Sequence, residues 1–257
     1  MTLRFLLYTL LLLYCTGSPA AEESPVVAVA ANFSPVMQKL VDHFTAQTGQ
    51  EIRVSTGASG TLVRQIEQGA PFELFLSADE AYVERLHAEG LTVDTGRIYA
   101  IGQLVLFIPN TSNQDINQET RTLLRESVTG GSHKIAMANP ELAPYGLAAK
   151  QVLERFDLWP IPKDQLIIGE NVGQTAQFAL TGTINVAFLP YSLAISDQLH
   201  NAGQFKLIPR DWHIPINQRM VLLKKAGTAA RELYDYLSSE AAQTIIRDYG
   251  YTAPEER

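Results

Sequence analysis

Four places in the sequence combine small or capping residues with the start of a predicted helix. Because the first N–H groups of a helix have no partner within it and lie at the positive end of its dipole, each start is a candidate anion site. Any α/β protein contains such starts, so a single one indicates little, whereas four of them divided between two halves of the chain are more informative. Together they predict a cleft that holds a small anion. The four are Ala31-Asn32-Phe33-Ser34-Pro35, Ser59-Gly60-Thr61, Ala143-Pro144-Tyr145-Gly146 and Asn171-Val172-Gly173.

Residues that could catalyse a reaction or hold a metal are poorly placed. The five histidines show no short spacing with one another, and the single cysteine is Cys15. Residues 57–60 (Gly-Ala-Ser-Gly) resemble a nucleophile elbow, but Thr61 stands where that motif has its last glycine. Asp79 and Glu170, the acids next to the motifs, are interpreted as a helix cap and a solvated loop charge. We therefore predict no catalytic residue, metal site or cofactor, with an enzyme of the same shape kept as an alternative.

The elements that must position these residues alternate between short strands and amphipathic helices, which is typical of an α/β fold with parallel sheets. Residues 110–119 form the most loop-like stretch. Strands are predicted at 26–30, 52–55, 74–77, 103–108, 134–138, 166–168, 186–189 and 220–223. Helices are predicted at 34–48, with Ser34 as cap and Pro35 as first residue, and at 62–68, 80–89, 144–156, 172–180, 229–238 and 241–249.

The first twenty residues have the pattern of a secretory signal peptide. Arg4 precedes an unbroken apolar run at 5–14, and Ser18 and Ala20 suit cleavage after Ala20. The run is half of the roughly 20 residues that a membrane-spanning helix needs, although an uncleaved interfacial anchor is the alternative. We therefore predict that residues 1–20 are removed on export to the periplasm. Since Cys15 lies in this segment, the exported protein has no disulfide and depends on an apolar core.

The charge balance limits the possible partners. The chain has 20 basic and 27 acidic residues and a formal net charge of −7. Such a surface argues against nucleic acid and against an anionic membrane as partner. An anion must then be held by local donors, because the overall field repels it. The sequence contains no heptad repeat, which favours a monomer.

Several segments, at suitable distances from one another, resemble the periplasmic molybdate-binding proteins of ABC transporters. The likeness covers nearly all of the chain after residue 24 and is most specific at residues 57–79. It implies a type II, two-lobed (venus-flytrap) periplasmic binding protein, in which each lobe is a mostly parallel sheet flanked by helices. Lobe I is expected at 24–102 plus 217–257, and lobe II at 103–216. The matching segments are 30–33, 57–66, 69–79, 139–141, 144–146, 170–172 and 248–251.

The resemblance also implies the ligand contacts. They are Asn32, Ser59, Tyr145 and Val172, with Ala31 beside them. From the first lobe, Asn32 and Ser59 would give backbone N–H groups and side-chain donors. From the second, Tyr145 and Val172 would give backbone N–H groups, with the phenol of Tyr145 as a further candidate.

The sequence departs from the best-known pattern of this family at three positions. Asn32 stands where many members have serine, and Tyr145 where many have alanine. These two point to a second variant of the site. Tyr191 follows Pro190 and is not followed by the glycine expected after a ligand-binding tyrosine, so we interpret Tyr191 as structural.

All of the expected contacts are neutral donors, which suits a fully deprotonated oxyanion such as molybdate, tungstate or sulfate. Hydrogen phosphate carries a proton and needs an acceptor, and an unmatched buried polar group costs about 1–3 kcal/mol. Sulfate differs from molybdate mainly in size, so the choice of molybdate depends on the resemblance. That resemblance implies capture of molybdate or tungstate and delivery to an ABC permease. The alternative is the same fold binding sulfate, an iron complex or an organic acid, which predicts carboxylates, arginine or extra tyrosines in the cleft.

Overall fold

The computed structural model describes residues 24–130 and 133–253 of the chain. The predicted signal peptide at 1–20 lies outside these described residues. Within them, no helix combines the length and the apolar character that crossing a membrane would require.

The strands of the described chain form two five-stranded sheets. The first sheet has the order β2-β1-β3-β10-β4, and the second has the order β7-β6-β8-β5-β9. The strands are β1 Val26–Ala30, β2 Arg53–Gly57, β3 Phe72–Ser77, β4 Arg97–Gly102, β5 Leu104–Pro109, β6 Ile135–Ala138, β7 Leu166–Gly169, β8 Val186–Pro190, β9 Gly203–Leu207 and β10 Ile216–Leu222.

Both sheets are mixed. In the first, β1 pairs in parallel with β2 and β3, whereas β10 runs antiparallel to β3 and β4. In the second, β6 pairs in parallel with β7 and β8, whereas β5 runs antiparallel to β8 and β9. Parallel pairings thus make up half of each sheet rather than most of it. Parallel neighbours need a crossover helix, whereas β5 and β10 enter their sheets directly from the other one.

The helices of the described chain pack on these sheets. They are α1 Ser34–Thr48, α2 Ser59–Glu67, α3 Glu80–Ala88, α4 Thr120–Thr129, α5 Pro144–Arg155, α6 Val172–Leu180, α7 Tyr191–Ala194, α8 Asp197–Ala202, α9 Thr228–Tyr236 and α10 Glu240–Asp248. Two short 3₁₀ turns, Ala31–Phe33 and Arg210–Trp212, complete the set.

Every predicted strand and helix is present, and the predicted two-sheet α/β class is confirmed. The start of α2 differs most among the helices, because the helix begins at Ser59 rather than at residue 62. Ser34 is the first residue of α1 and makes no side-chain cap, so its predicted capping role is wrong. Five further elements are not among the predicted ones: β4, β9, α4, α7 and α8. Only Gln103 separates β4 from β5, so their apolar runs merge in the sequence.

The chain passes between the two sheets twice. It leaves the first sheet at the end of β4 and enters the second with β5, and it returns between β9 and β10. We refer to the first sheet with α1, α2, α3, α9 and α10 as lobe I, and to the second sheet with α4 to α8 as lobe II. The residue bounds expected for the lobes from the sequence remain a prediction.

Side chains alternate between the two faces of the lobe I sheet, as the two-residue period of a strand requires. Val27 and Val29 of β1 pack under α1, α9 and α10, whereas Ala28 faces α2 and α3. A third apolar cluster fills lobe II and also includes Ala30 and Ala58 from the strand ends of lobe I. The lobes therefore touch through small residues, which corresponds to a closed form.

Candidate functional site

A small pocket lies between the lobes, where the carboxyl ends of parallel strands from both sheets face each other. In α/β sheets this edge is where ligands bind, because loops and helix starts follow the strands there. The pocket is small: the space between its atoms is about 210 Å³, and part of that space is open to solvent. It is lined by Ala30, Ala31, Asn32, Gly57, Ala58, Ser59 and Ala78 from lobe I and by Ala143, Pro144, Tyr145, Asn171 and Val172 from lobe II.

Three helix N-termini and one 3₁₀ turn meet at this pocket. Helix α2 comes from lobe I and begins at Ser59. Helices α5 and α6 come from lobe II, and their first turns include Tyr145 and Val172. Asn32 lies in the 3₁₀ turn that follows β1. First-turn N–H groups have no acceptor within their own helix, so the pocket is surrounded by backbone donors and positive dipole ends.

Local sequence explains why these starts lie so close to the strands. Gly146 in the first turn of α5 has no room for a Cβ, which would overlap the Ala138 carbonyl group at the end of β6. Asn171 caps α6, since its Oδ1 accepts a hydrogen bond from the Gln174 N–H at 3.1 Å. The first feature lets α5 begin close against β6, and the second fixes where α6 begins after β7.

The pocket carries no formal charge. The lining residues include no Asp, Glu, Lys, Arg, His or Cys. Across the described ranges, there is no group of three or more His, Cys, Asp or Glu residues that could hold a metal ion. Asp79 and Glu170 do not line the pocket, and Asp79 caps α3 as predicted, since its Oδ1 accepts from the Ala81 N–H at 2.8 Å. The arrangement can offer hydrogen bonds to an anion without supplying a counter-charge.

Ser59 is oriented as a donor by the strand next to it. The Ser59 side chain is 1% exposed, and its Oγ accepts a hydrogen bond from the Ala78 backbone N–H at 3.0 Å. Since that N–H occupies an acceptor position on the oxygen, the hydroxyl hydrogen remains for another group. The Ser59 hydroxyl is therefore available to donate into the pocket.

The side chain of Asn32 has a different task from the one expected. Its Nδ2 donates to Gln218 Oε1 and to Tyr251 OH, both at 2.9 Å, so both amide hydrogens are used behind the pocket. The backbone carbonyl oxygen of Asn32 accepts from Tyr251 OH at 2.9 Å and from Ser192 Oγ at 3.1 Å. The amide therefore cannot donate to a ligand in this arrangement, and only the backbone N–H of Asn32 remains as a donor.

The phenol of Tyr145 is also engaged with the protein. Its hydroxyl oxygen accepts from Gln218 Nε2 at 3.3 Å, and the side chain is 2% exposed. Burial raises the pKa of this phenol well above its usual value, with the hydrogen bond from Gln218 acting in the opposite direction. Burial likewise raises the pKa of Tyr99 and of Tyr251. All three tyrosines are thus neutral near physiological pH.

The structure brings all five predicted residues to one pocket: Ala31, Asn32, Ser59, Tyr145 and Val172. Tyr191, which was interpreted as structural, does not line it and instead packs on Phe205 with ring centroids 5.4 Å apart.

Two features were not foreseen. Between the lobes, the Gly60 N–H donates to the Leu142 carbonyl oxygen at 2.9 Å. Behind the pocket, Gln218 contacts residues of both lobes. A signal for Gln218 exists in the sequence: it shares the inward, two-residue period of Ile216 and Met220 on β10, where a glutamine is unusual.

The chain is similar in sequence to known solute-binding proteins. The family model described as bacterial extracellular solute-binding protein matches residues 25–252. The chain is 36% identical over 243 residues to the molybdate-binding protein ModA of Azotobacter vinelandii, covering 93% of each chain.

The solved structures that are similar to this one include two from molybdenum transport. The periplasmic molybdate-binding protein of Azotobacter vinelandii superposes with a TM-score of 0.82 at 30% identity, over 90% of this chain and 100% of the other. A substrate-binding domain assigned to a molybdenum ABC transporter of Clostridium difficile superposes with a TM-score of 0.65 at 27% identity, over 90% of this chain and 99% of the other.

Proposed function

Because the chain belongs to the bacterial extracellular solute-binding proteins, and within them to the ModA molybdate-binding proteins, we propose that it binds molybdate. The anion is held between the two lobes. Tungstate is the second expected ligand, because it is also a fully deprotonated tetrahedral oxyanion. The protein then delivers the anion to the permease of an ABC transporter. It performs no reaction on the anion and needs no cofactor.

The observation that carries this proposal is the charge-free pocket formed by helix starts of both lobes. A molybdate dianion needs only donors, and the proposed donors are backbone N–H groups and one hydroxyl. The backbone groups belong to Ala31, Asn32, Ser59, Tyr145 and Val172, and the hydroxyl is that of Ser59. The helix dipoles attract the anion although the chain has a net charge of −7.

The donor set also supports selectivity. Hydrogen phosphate brings a proton that needs an acceptor, and no carboxylate lines the pocket. Sulfate can use the same donors but is smaller, so that some of its hydrogen bonds would be stretched in a cage of fixed size. If each stretched bond costs about 1 kcal/mol, two or three reduce affinity on the order of a hundredfold.

Other ligands of the same architecture are less well supported. An iron complex or an organic acid calls for carboxylates, arginine or several tyrosines, and of these the lining has a single residue, Tyr145. An enzyme would need a base near Ser59, yet no His, Asp or Glu lines the pocket. These absences at the pocket favour binding without catalysis.

Capture couples to closure of the lobes. Donors from both lobes favour the closed form when the anion is bound, which shifts the equilibrium between open and closed forms. The closed form presents the two lobes to the permease in a fixed relative position. We propose that this takes place in the periplasm, after removal of residues 1–20, and that the protein acts as a monomer.

Titration calorimetry tests the proposal directly. The exported protein, freed of bound anion, is titrated in turn with molybdate, tungstate, sulfate and phosphate. We expect one-to-one binding of the first two, with sulfate at least about a hundredfold weaker and phosphate weaker still. Tight binding of sulfate without binding of molybdate would keep the fold and overturn the proposed ligand.

A further inference from the structure

A buried group of polar side chains joins the two lobes directly behind the pocket. Each member is at most 4% exposed. We call this group the polar network. Its members are Asn32, Tyr99, Gln218 and Tyr251 from lobe I, and Tyr145 and Ser192 from lobe II.

Gln218 connects the lobes within this network. Its Oε1 accepts hydrogen bonds from Asn32 Nδ2 and from Tyr99 OH, both at 2.9 Å. Its Nε2 donates to the Tyr145 hydroxyl at 3.3 Å. Gln218 itself does not line the pocket, but Asn32 and Tyr145 line it from opposite sides. One amide therefore ties together a residue from each wall of the pocket.

These bonds fix backbone positions as well as side chains. Tyr145 lies in the first turn of α5, so a ring that is held at its hydroxyl holds the start of that helix. The hydroxyl lies so close to Gly102 that a Cβ there would overlap it, which leaves the ring little freedom. Asn32 is bound through both its side-chain amide and its backbone carbonyl group, so the 3₁₀ turn after β1 is equally constrained.

We propose that Gln218 is a positioning residue that determines which tetrahedral oxyanion the pocket prefers. Its amide sets the distance between the donors of lobe I and those of lobe II in the closed form. A rigid distance penalises an anion that is too small to reach both walls. The inference rests on the proposed function, because it needs an oxyanion held between the lobes.

The test compares Gln218→Met with the control Gln243→Met. Methionine keeps most of the side-chain volume and removes the amide. Gln243 is half-buried, and its Nε2 donates to the carbonyl oxygens of Tyr99 and Leu237 within lobe I, so its loss also removes two hydrogen bonds but changes no residue that lines the pocket. Molybdate and sulfate affinities are measured by calorimetry, together with the thermal midpoint of the anion-free protein.

We expect Gln218→Met to weaken molybdate binding by roughly tenfold to a hundredfold, and sulfate binding by less, so that the molybdate-to-sulfate ratio falls at least about fivefold. Gln243→Met should leave both affinities within about twofold of the wild type. A lower thermal midpoint in Gln218→Met with an unchanged ratio would show a merely structural role and overturn the inference.

A double-mutant cycle checks the connection to Tyr145. If Gln218 acts through the Tyr145 hydroxyl, Gln218→Met in a Tyr145→Phe background should change the anion ratio much less than it does alone. Additive effects would contradict a route through this bond. Failure of the wild type to bind any tetrahedral oxyanion would overturn the proposed function and this inference together, whereas binding with an unaltered ratio in Gln218→Met overturns only the inference.

Discussion

The backbone N–H of Gly60 in lobe I donates a hydrogen bond to the carbonyl oxygen of Leu142 in lobe II, at 2.9 Å. The two residues follow and precede Ser59 and Ala143, which line the pocket, and the Tyr82 hydroxyl lies 3.5 Å from the same oxygen. A bond between lobes can form only when the cleft is closed. Gly60 therefore contributes to the energy of closure without contacting the ligand.

Gly60→Ala should weaken anion binding by about tenfold, because it opposes closure. A Cβ at this position would lie 3.1 Å from the Leu142 carbonyl oxygen and 3.2 Å from its Cα, closer than backbone atoms normally tolerate. Within lobe I the same Cβ would lie 2.7 Å from the Tyr82 hydroxyl, the far end of a side chain that can shift, and alanine is the better helix former by about 0.5–1 kcal/mol, so the cost in the open form is small. Calorimetry gives the affinity, and small-angle scattering with and without molybdate reports closure.

Combining Gly60→Ala with Tyr82→Phe separates the two contacts. The second change relieves the overlap with the Tyr82 hydroxyl, but it leaves the contacts with the Leu142 backbone. We therefore expect the double variant to bind as weakly as Gly60→Ala alone. Recovery of wild-type affinity would mean that only the Tyr82 hydroxyl, and not closure against Leu142, limits this position.

Ser59→Ala should reduce molybdate affinity by roughly tenfold to a hundredfold, because it removes a hydroxyl donor that faces the pocket and leaves the Ala78 N–H unpaired. The matched control is Ser77→Ala. Ser77 is also fully buried, and its Oγ accepts from the Asp79 N–H at 3.1 Å, but it does not line the pocket. Both changes should lower stability by about 1 kcal/mol. Equal affinities in the two variants, measured by calorimetry, would argue against Ser59 as a ligand contact.

The residues that line the pocket could be predicted from the sequence, but the residues behind them that hold them in place could not. The walls follow strand ends, and the residue types there (Asn32, Ser59 and Val172 at helix starts) have a local signature. The supports depend on contacts between residues far apart in the chain. Asn32 and Gln218 are separated by 186 positions, and nothing local tells that their amides meet. For this reason the side chain of Asn32 was expected to contact the ligand, whereas it faces Gln218 and Tyr251.

The antiparallel pairings of β5 and β10 were not predicted from the sequence, for a related reason. Strand direction in a two-lobed protein depends on where the chain passes from one sheet to the other. That passage consists of Gln103 alone, between two apolar strands, and it is too short to read as a loop in the sequence. Alternation of strands and helices therefore indicated the α/β class but could not fix the direction of β5 and β10.

Anion affinity should be independent of pH between about 6 and 9, because no lining residue titrates there. Burial raises the pKa of the Tyr145 and Tyr251 hydroxyls above the ordinary value of about 10, so both remain neutral donors or acceptors throughout this range. Since the folded pKa exceeds the unfolded one, their contribution to stability is complete below about pH 10 and is lost as the pH rises further. Calorimetry across pH and alkaline unfolding followed by circular dichroism check the two parts. A change in affinity of more than about fivefold between pH 6 and 9 would require a titrating group in the site.

Asp79→Asn should leave the protein at least as stable as the wild type at pH 7, whereas Asp79→Ala should cost about 1 kcal/mol. The Asp79 carboxylate caps α3, and an asparagine side chain can accept the same hydrogen bond from Ala81. Burial raises the pKa of Asp79, with Glu80 and Glu84 adding to the effect and the Ala81 hydrogen bond opposing it. The folded state thus disfavours the charged carboxylate of Asp79. The wild type therefore loses stability relative to Asp79→Asn as the pH rises through the pKa of this group.

Urea unfolding at pH 7 and pH 4 measures this effect. The difference between Asp79→Asn and the wild type should shrink as the carboxyl group of the wild type becomes protonated. Because Ala78 beside it lines the pocket, removal of the charge should also strengthen molybdate binding by about twofold to fivefold. A lower affinity in Asp79→Asn would contradict a purely electrostatic influence of this residue.

Gly102→Ala should weaken molybdate binding by roughly tenfold to a hundredfold, because it displaces the Tyr145 ring and with it the start of α5. A Cβ on Gly102 would overlap the Tyr145 hydroxyl and lie 2.9 Å from Gln218 Nε2. The matched control is Gly49→Ala. Gly49 ends α1 with φ of 73°, and a Cβ there meets no atom within 4 Å, so this change strains the backbone without reaching the cleft. Both variants should lose stability in thermal unfolding, but only Gly102→Ala should lose affinity in calorimetry. Parallel losses of affinity would mean that binding responds to overall stability, and the position of Tyr145 would then not be the controlling variable.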